Sequence, residues 1–268
     1  MFFIIGCARS GTTAIAKILD CCKNVNVGIE LKPNLCIESR DFFDGNLKKN
    51  PKEILIESRR KQIIEAHNSD KIFADKNVNY LPFIATMEEI WSPKFLFIIR
   101  NGKDVVRSLM DWDNFSSGNI FGRNEDDSNS NIIKPDDDWW DYSRIRPQKG
   151  EKYYDKWQDL SKFEKCSWYW NKYNKELLNA SKIIPEERKM FFDISTSNTK
   201  NILKIMDFFN LDIIEKEKIS KILNQRVNST RERYNRDQIF PKKEHWSLDL
   251  NLKFFSFAGE MYNELGYE

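Results

Sequence analysis

Phe2-Phe3-Ile4-Ile5-Gly6-Cys7-Ala8-Arg9-Ser10-Gly11-Thr12-Thr13-Ala14-Ile15 is the stretch on which the fold turns. Its first four residues form a continuous apolar, β-favouring run. Gly6 to Gly11 then break the pattern, and Ala14, Ile15, Ile18, Leu19 and Cys22 follow with helical spacing. The order is strand, glycine loop, helix. Gly6 to Thr13 match the G-x-x-x-x-G frame of a phosphate loop, with Thr12 where the Walker motif requires Lys. Successive backbone N–H groups that open onto a helix N-terminus attract an anion whatever the nucleotide, because unsatisfied donors and the helix dipole point at it together. Arg9 supplies a cation from within the loop. A purely structural turn would explain the glycines but not Arg-Ser-Gly-Thr-Thr behind an opening strand.

Outward from this unit the chain repeats the arrangement. Phe95 to Ile99 read as a second continuous strand, Arg100-Asn101-Gly102 as a turn, and Lys103 to Met110 as a short helix carrying Val105, Val106 and Leu109. Further strands are predicted at Val25 to Ile29, Ile72 to Ala74 and Met190 to Phe192. Helices are predicted over Pro51 to Ala66, Leu81 to Trp91, Phe163 to Leu177, Thr199 to Phe209, and Phe254 to Leu265 before Gly266. Continuous apolar strands that alternate with helices predict an α/β domain whose central parallel sheet is flanked by helices. One domain over residues 1–268 is expected, with a lid or insertion at about 114–154. In that stretch Gly, Asn and Ser break the periodicity, and seven carboxylates between Glu125 and Asp141 surround Trp139 and Trp140. The bland reading is a solvated acidic loop. A cationic or sugar-like acceptor would suit its carboxylates and aromatic faces.

Composition narrows the function. Lys plus Arg at 43 against Asp plus Glu at 41 leave +2, which argues against a surface built to neutralise a nucleic acid, so any anion site is local. Met1 to Ile5 form too short an apolar run for a signal peptide or a membrane span. Five cysteines, Cys7, Cys21, Cys22, Cys36 and Cys166, include no CxxC pair and suggest a reducing, cytoplasmic setting. With His67 and His245 the only histidines, chemistry must lean on carboxylates, hydroxyls and cations.

At these motifs the chain resembles the sulfotransferases that use 3'-phosphoadenosine 5'-phosphosulfate (PAPS). Their first loop places a basic residue before Ser-Gly-Thr-Thr, as Arg9 to Thr13 do here, and their second signature is a strand ending in Arg with Ser eight residues on, as in Arg100 to Ser108. The resemblance implies a P-loop NTPase-like topology. It implies that Arg9, Ser10, Gly11, Thr12 and Thr13 hold the 5'-phosphosulfate, while Arg100 and Ser108 hold the 3'-phosphate. Asp75-Lys76-Asn77 is similar to the family's Asp-Lys-(Ser/Thr)-Pro segment, whose Lys lies near the transferred group, but Val78 replaces the proline. A solvated lysine at a strand end is the bland alternative for Lys76. The basic stretch Asn224 to Trp246 lies where the family often covers the 3'-phosphate, which makes Arg231 and Arg233 candidates; a solvated charged face is the competing reading.

Sulfuryl transfer is in-line displacement, so catalysis is positioning plus charge stabilisation at the leaving phosphate. Arg9 and the loop can meet that charge, and no metal is expected. An acceptor hydroxyl must lose a proton. Glu30, at the end of the predicted second strand, is the expected base, in the place where bacterial and protein-modifying relatives often carry Glu. Its bland alternative is a strand-end Glu paired with Lys32; Glu38, Asp75 and His245 are held in reserve. The expected reaction therefore moves a sulfuryl group from PAPS, with adenosine 3',5'-bisphosphate (PAP) as product, to a hydroxyl or amine of a small-molecule or carbohydrate acceptor. The alternatives are a nucleotide-dependent kinase or NTP-binding protein, which must explain the absent Walker Lys, and a binding module that has lost its base.

Overall fold

The computed structural model describes residues 1–111, 121, 140–224 and 240–267. The chain divides into two compact units. The first is Met1–Asn34, Lys48–Arg100 and Leu177–Ser229; the second is Leu35–Leu47, Asn101–Glu176 and Thr230–Glu268.

The first unit is built on a five-stranded sheet in the order β2-β3-β1-β4-β5, with β1 (Phe2–Gly6) central, β2 (Val25–Ile29) and β3 (Ile72–Lys76) on one side, and β4 (Lys94–Ile99) and β5 (Lys189–Asp193) on the other. Every pairing is parallel. Because successive residues of a strand face opposite sides, β1 and β4 feed two different cores. Phe2, Ile4, Leu96 and Ile98 join the buried cluster completed by α1 (Thr12–Leu19) and by Ile202, Ile205, Met206 and Phe209. Phe3, Phe95 and Phe97 pack instead against Phe73, Tyr80, Trp91 and Phe191. A sheet covered on both faces explains why its strands read as unbroken apolar runs.

The predicted strands are all present; β3 continues two residues beyond Ala74, to Asp75 and Lys76, and both of these polar side chains are buried. The single helix predicted over Leu81 to Trp91 is instead a 3-10 turn, Val78–Phe83, containing Pro82, followed by α4 (Ile84–Trp91). Proline supplies no N–H for an α-helical bond and so delays the α-helix until the residues behind it. The first turn of α3 (Pro51–Asn68) is fixed by Asn50, whose side chain accepts from the Lys52 N–H at 3.0 Å, with Pro51 at the first helical position. The unit also contains α7 (Thr199–Phe208), capped by Asn198, and α8 (Lys216–Asn224), which the sequence reading did not assign.

In the second unit, α2 (Cys36–Phe43) was likewise not foreseen, and α5 (Gly102–Met110) starts at Asn101, which accepts from the Lys103 N–H at 3.0 Å. Its core gathers Trp170 of α6 (Lys162–Ser181) with Phe254 and Tyr262 of α9 (Leu248–Glu264). Gly102 is required here, since a Cβ would stand 2.8 Å from the Trp170 ring. Most of the expected lid, 114–154, lies outside the described residues, as do Arg231 and Arg233.

All five cysteines are free thiols. Burial pushes the Cys166 thiol up to about 12 and, with Cys21 and nearby carboxylates adding to the effect, Cys22 up to about 11, so neither forms appreciable thiolate near neutral pH. Timed alkylation of the folded protein read by peptide mass spectrometry should mark half-exposed Cys21 first and leave Cys166 unlabelled. Rapid labelling of Cys166 would mean that the core of the second unit opens.

Candidate functional site

Parallel strands bring their carboxyl ends to one edge of the sheet, and ligands of open α/β sheets bind outside that edge. Four sequence-predicted features arise at this edge of the first unit: the glycine loop after β1, Glu30 after β2, Lys76 as the last residue of β3, and Arg100 just past β4. No two of the four are adjacent in sequence. Ile29 pairs with Lys76, so β2 and β3 end level, while β1, whose Ile4 pairs with Lys76, runs two residues further to Gly6.

The loop leaves β1 at Gly6, where a Cβ would stand 2.5 Å from the Ile98 carbonyl oxygen, so only glycine permits this close approach to β4. Arg9 and Gly11 both have left-handed backbone, at φ 69° and 92°. Such reversals turn successive N–H groups into a concave nest for an anion. Gly11 is the N-cap of α1 and offers no side-chain cap, so the first-turn amides stay available to a ligand. Ser10 is buried, and its Oγ has no hydrogen-bond partner among the described residues. A buried hydroxyl without a partner is costly in a finished structure, which makes Ser10 a donor waiting for a ligand oxygen. The loop thus fits an anionic group such as a phosphosulfate by its left-handed backbone, its amides and this orphaned hydroxyl.

Arg100 is joined to this loop, since its Nη1 donates to the Arg9 carbonyl oxygen at 2.9 Å. The two motifs that lie about 90 residues apart in sequence therefore meet, at the carbonyl of the left-handed Arg9. Ser108 is half-buried on α5 of the second unit.

Glu30 and Lys76 form an ion pair, Lys76 Nζ to Glu30 Oε1. One alternative reading is set aside here. Lys76 is not a solvated strand-end lysine: its side chain is 5% exposed, because β3 runs to its position between β1 and β2. Lys76 is a described partner of Glu30, brought beside it by the register of β3 with β2. Glu30 keeps 21% exposure and a left-handed φ of 53°. Other left-handed residues, Ser92 and Asn210, end helices, where that conformation is common; Arg9 and Glu30 leave strands, where it marks imposed geometry.

Sequence reasoning missed the network beneath this pair. Arg59, Asp75 and Tyr80 are fully buried; Arg59 Nε donates to Asp75 Oδ2 at 3.0 Å and to the Tyr80 hydroxyl, and that hydroxyl donates to Asp75 Oδ2 at 2.5 Å. Burial pushes the Asp75 carboxyl up, opposed by the Arg59 guanidinium. Deleting one partner of such a buried pair strands a charge, at about 3–5 kcal/mol. The available signal was spacing: Arg59 stands four residues after Leu55 on the buried face of α3, where a charge needs a partner. Asp75, held in reserve as a base, is committed to this network. Of the other reserves, Glu38 lies on α2 and His245 in a short 3-10 turn of the second unit.

Among the described residues no group of three or more His, Cys, Asp or Glu is placed to hold a metal ion, and no helix is long and apolar enough to cross a membrane.

Neither a protein-family model nor a curated protein matches this sequence. Solved structures do match in fold. A sulfotransferase domain from the curacin biosynthetic pathway matches at TM-score 0.54 and 13% identity, over 100% of this chain and 98% of its own. Mouse sulfotransferase SULT7A1, complexed with PAP, matches at TM-score 0.52 and 13% identity, over 97% of this chain and 83% of its own. A sulfotransferase from Alicyclobacillus acidocaldarius matches at 0.50 and 11%, over 100% and 96%.

Proposed function

We propose, taking as premise that this chain has the fold of the sulfotransferases, that it transfers a sulfuryl group from PAPS to a hydroxyl or amine of a small-molecule or carbohydrate acceptor. The observation that carries the reading is the juxtaposition at one sheet edge of an uncapped glycine loop with the orphaned Ser10 Oγ, an arginine tied to that loop, and a carboxylate–lysine pair. PAPS brings the activated sulfuryl group and leaves as PAP.

The residues of the chain supply the rest. Arg9, Ser10, Gly11, Thr12 and Thr13 bind the 5' end through side chains and amides, and Arg9 meets the negative charge that grows on the leaving phosphate. Arg100 reads the 3'-phosphate, and the motif resemblance offers Ser108, Arg231 and Arg233 as further candidates for it. Glu30 takes the acceptor's proton. Lys76 engages Oε1 and so restrains the carboxylate, and its ammonium, on the last residue of β3, can favour the anionic transition state. Metal is not required, because arginine and amide donors take the place of a divalent cation. Free thiols at all five cysteines fit a reducing cytoplasm.

A thermal melt tests the reading. PAP without added metal should raise the Tm strongly, about 2.7 kcal/mol at a hundredfold excess over Kd, while ADP, whose second phosphate lies elsewhere, should do so weakly. Arg100→Ala should erase most of that difference, since a charge-assisted hydrogen bond contributes about 1.5–3 kcal/mol. Equal stabilisation by both nucleotides, or a requirement for Mg²⁺, would favour a kinase or other NTP-binding protein.

A further inference from the structure

The residues that follow Glu30 form a short strap, Leu31 to Asn34, whose carbonyls are held by buried side chains from other elements. Arg59 Nη2 donates to the Leu31 carbonyl at 3.2 Å and Nη1 to the Pro33 carbonyl at 3.0 Å. The Asn34 carbonyl accepts from the side-chain amides of Asn77 at 3.0 Å and Asn79 at 2.9 Å. On its other side the Glu30 N–H donates to the Lys76 carbonyl at 2.8 Å. Glu30 therefore sits at the junction between a strand end and a clamped strap, in a left-handed conformation that local sequence does not favour.

The Arg59 guanidinium is the centre of this clamp. Its Nε edge is anchored on Asp75, the residue before Lys76, and its two terminal nitrogens reach the strap, the residues after Glu30. One rigid, planar fork thus ties together the chain segments carrying both members of the Glu30–Lys76 pair. Lysine offers a single ammonium on a flexible stem and cannot span the same three acceptors.

We propose that Arg59 is a positioning residue, which acts through Glu30 by setting where its carboxylate stands relative to Lys76 and the glycine loop. The inference rests on the sulfuryl-transfer reading for its kinetic consequence and on the strap geometry alone for its structural one, and the test separates the two.

Arg59→Lys keeps a cation beside Asp75 and removes the fork; Tyr80→Phe, which deletes only one hydroxyl from the network, serves if the lysine variant does not fold. Turnover is measured with PAPS and a panel of serine, glucosamine and a simple phenol, in the Glu30 and Glu30→Gln backgrounds. Displacing the base by about an ångström should lower kcat roughly tenfold to a hundredfold with the KM for PAPS within about twofold, and the loss should vanish in the Glu30→Gln background. A merely structural role would lower both backgrounds equally, which would overturn the proposal. Hydrogen exchange needs no activity: the amides of Leu31, Lys32 and Asn34 should exchange about tenfold faster in the variant, with those of Phe2 to Ile5 unchanged. If no acceptor is sulfated and PAP does not bind, the functional reading fails while strap exchange still decides the clamp. An unaltered strap would sink the positioning role whatever the chain catalyses.

Discussion

Glu30→Gln is expected to lower kcat by about 10² to 10⁴ on a hydroxyl acceptor, with PAP affinity nearly intact. The amide keeps the shape of the side chain, and its oxygen still accepts from Lys76, so the buried ammonium is not stranded and the variant should fold. What disappears is the capacity to take a proton. The nucleotide site draws on the loop after β1 and on Arg100, which arise from β1 and β4, whereas Glu30 follows β2 at the sheet's edge. Steady-state kinetics with PAPS, alongside calorimetric titration of PAP, check the split. A loss below tenfold would move the base elsewhere. Glu38 and His245 would then be the next to replace, Asp75 being occupied by Arg59 and Tyr80.

Arg9→Ala should be the second large effect, a fall of about 10² to 10³ in kcat by analogy with the loss of one donor from a site that stabilises developing charge. PAP binding should weaken less, because the full charge on the leaving phosphate oxygen exists only as the bond breaks. The backbone adds a second consequence. Arg9 occupies left-handed space, which alanine tolerates no better, so the Arg100 bond to its carbonyl must still hold the loop. Arg9→Gly is therefore the informative companion: it relieves the backbone while removing the same cation, and should show the same kinetic loss. Recovery of turnover in the glycine variant would assign the effect to loop conformation, and unchanged turnover in both would remove Arg9 from the mechanism.

The central strands were legible because they are buried on both faces, which makes an apolar run the only compatible sequence: Phe2 to Ile5 and Phe95 to Ile99 leave no other reading. The glycine loop was legible because its backbone demands particular residues, glycine at the close approach of Gly6 and at the positive φ of Gly11. The short α2 was not, since Cys36–Phe43 carries little apolar periodicity and begins after Leu35 in left-handed space without a side-chain cap. The split of Leu81 to Trp91 could have been read from Pro82, whose effect on the helix start is local.

The kinds of residue at the candidate site, Arg9, Glu30, Lys76 and Arg100, follow from the sequence, because each stands just beyond a strand legible in it. Which of them touch does not. The order β2-β3-β1-β4-β5 places β3 between the first two strands of the chain, and this crossover sets Lys76 beside Glu30 across 46 residues, while β4 next to β1 sets Arg100 against Arg9 across 91. Arg59 is the extreme case. In sequence it is one cation in a charged helix; in the fold, full burial leaves its guanidinium no water, so Asp75, Tyr80 and the carbonyls of Leu31 and Pro33 must take its hydrogen bonds. Strand composition is a local property written residue by residue, whereas strand order and the partners of a buried charge depend on contacts between distant segments, and only the tertiary structure decides them.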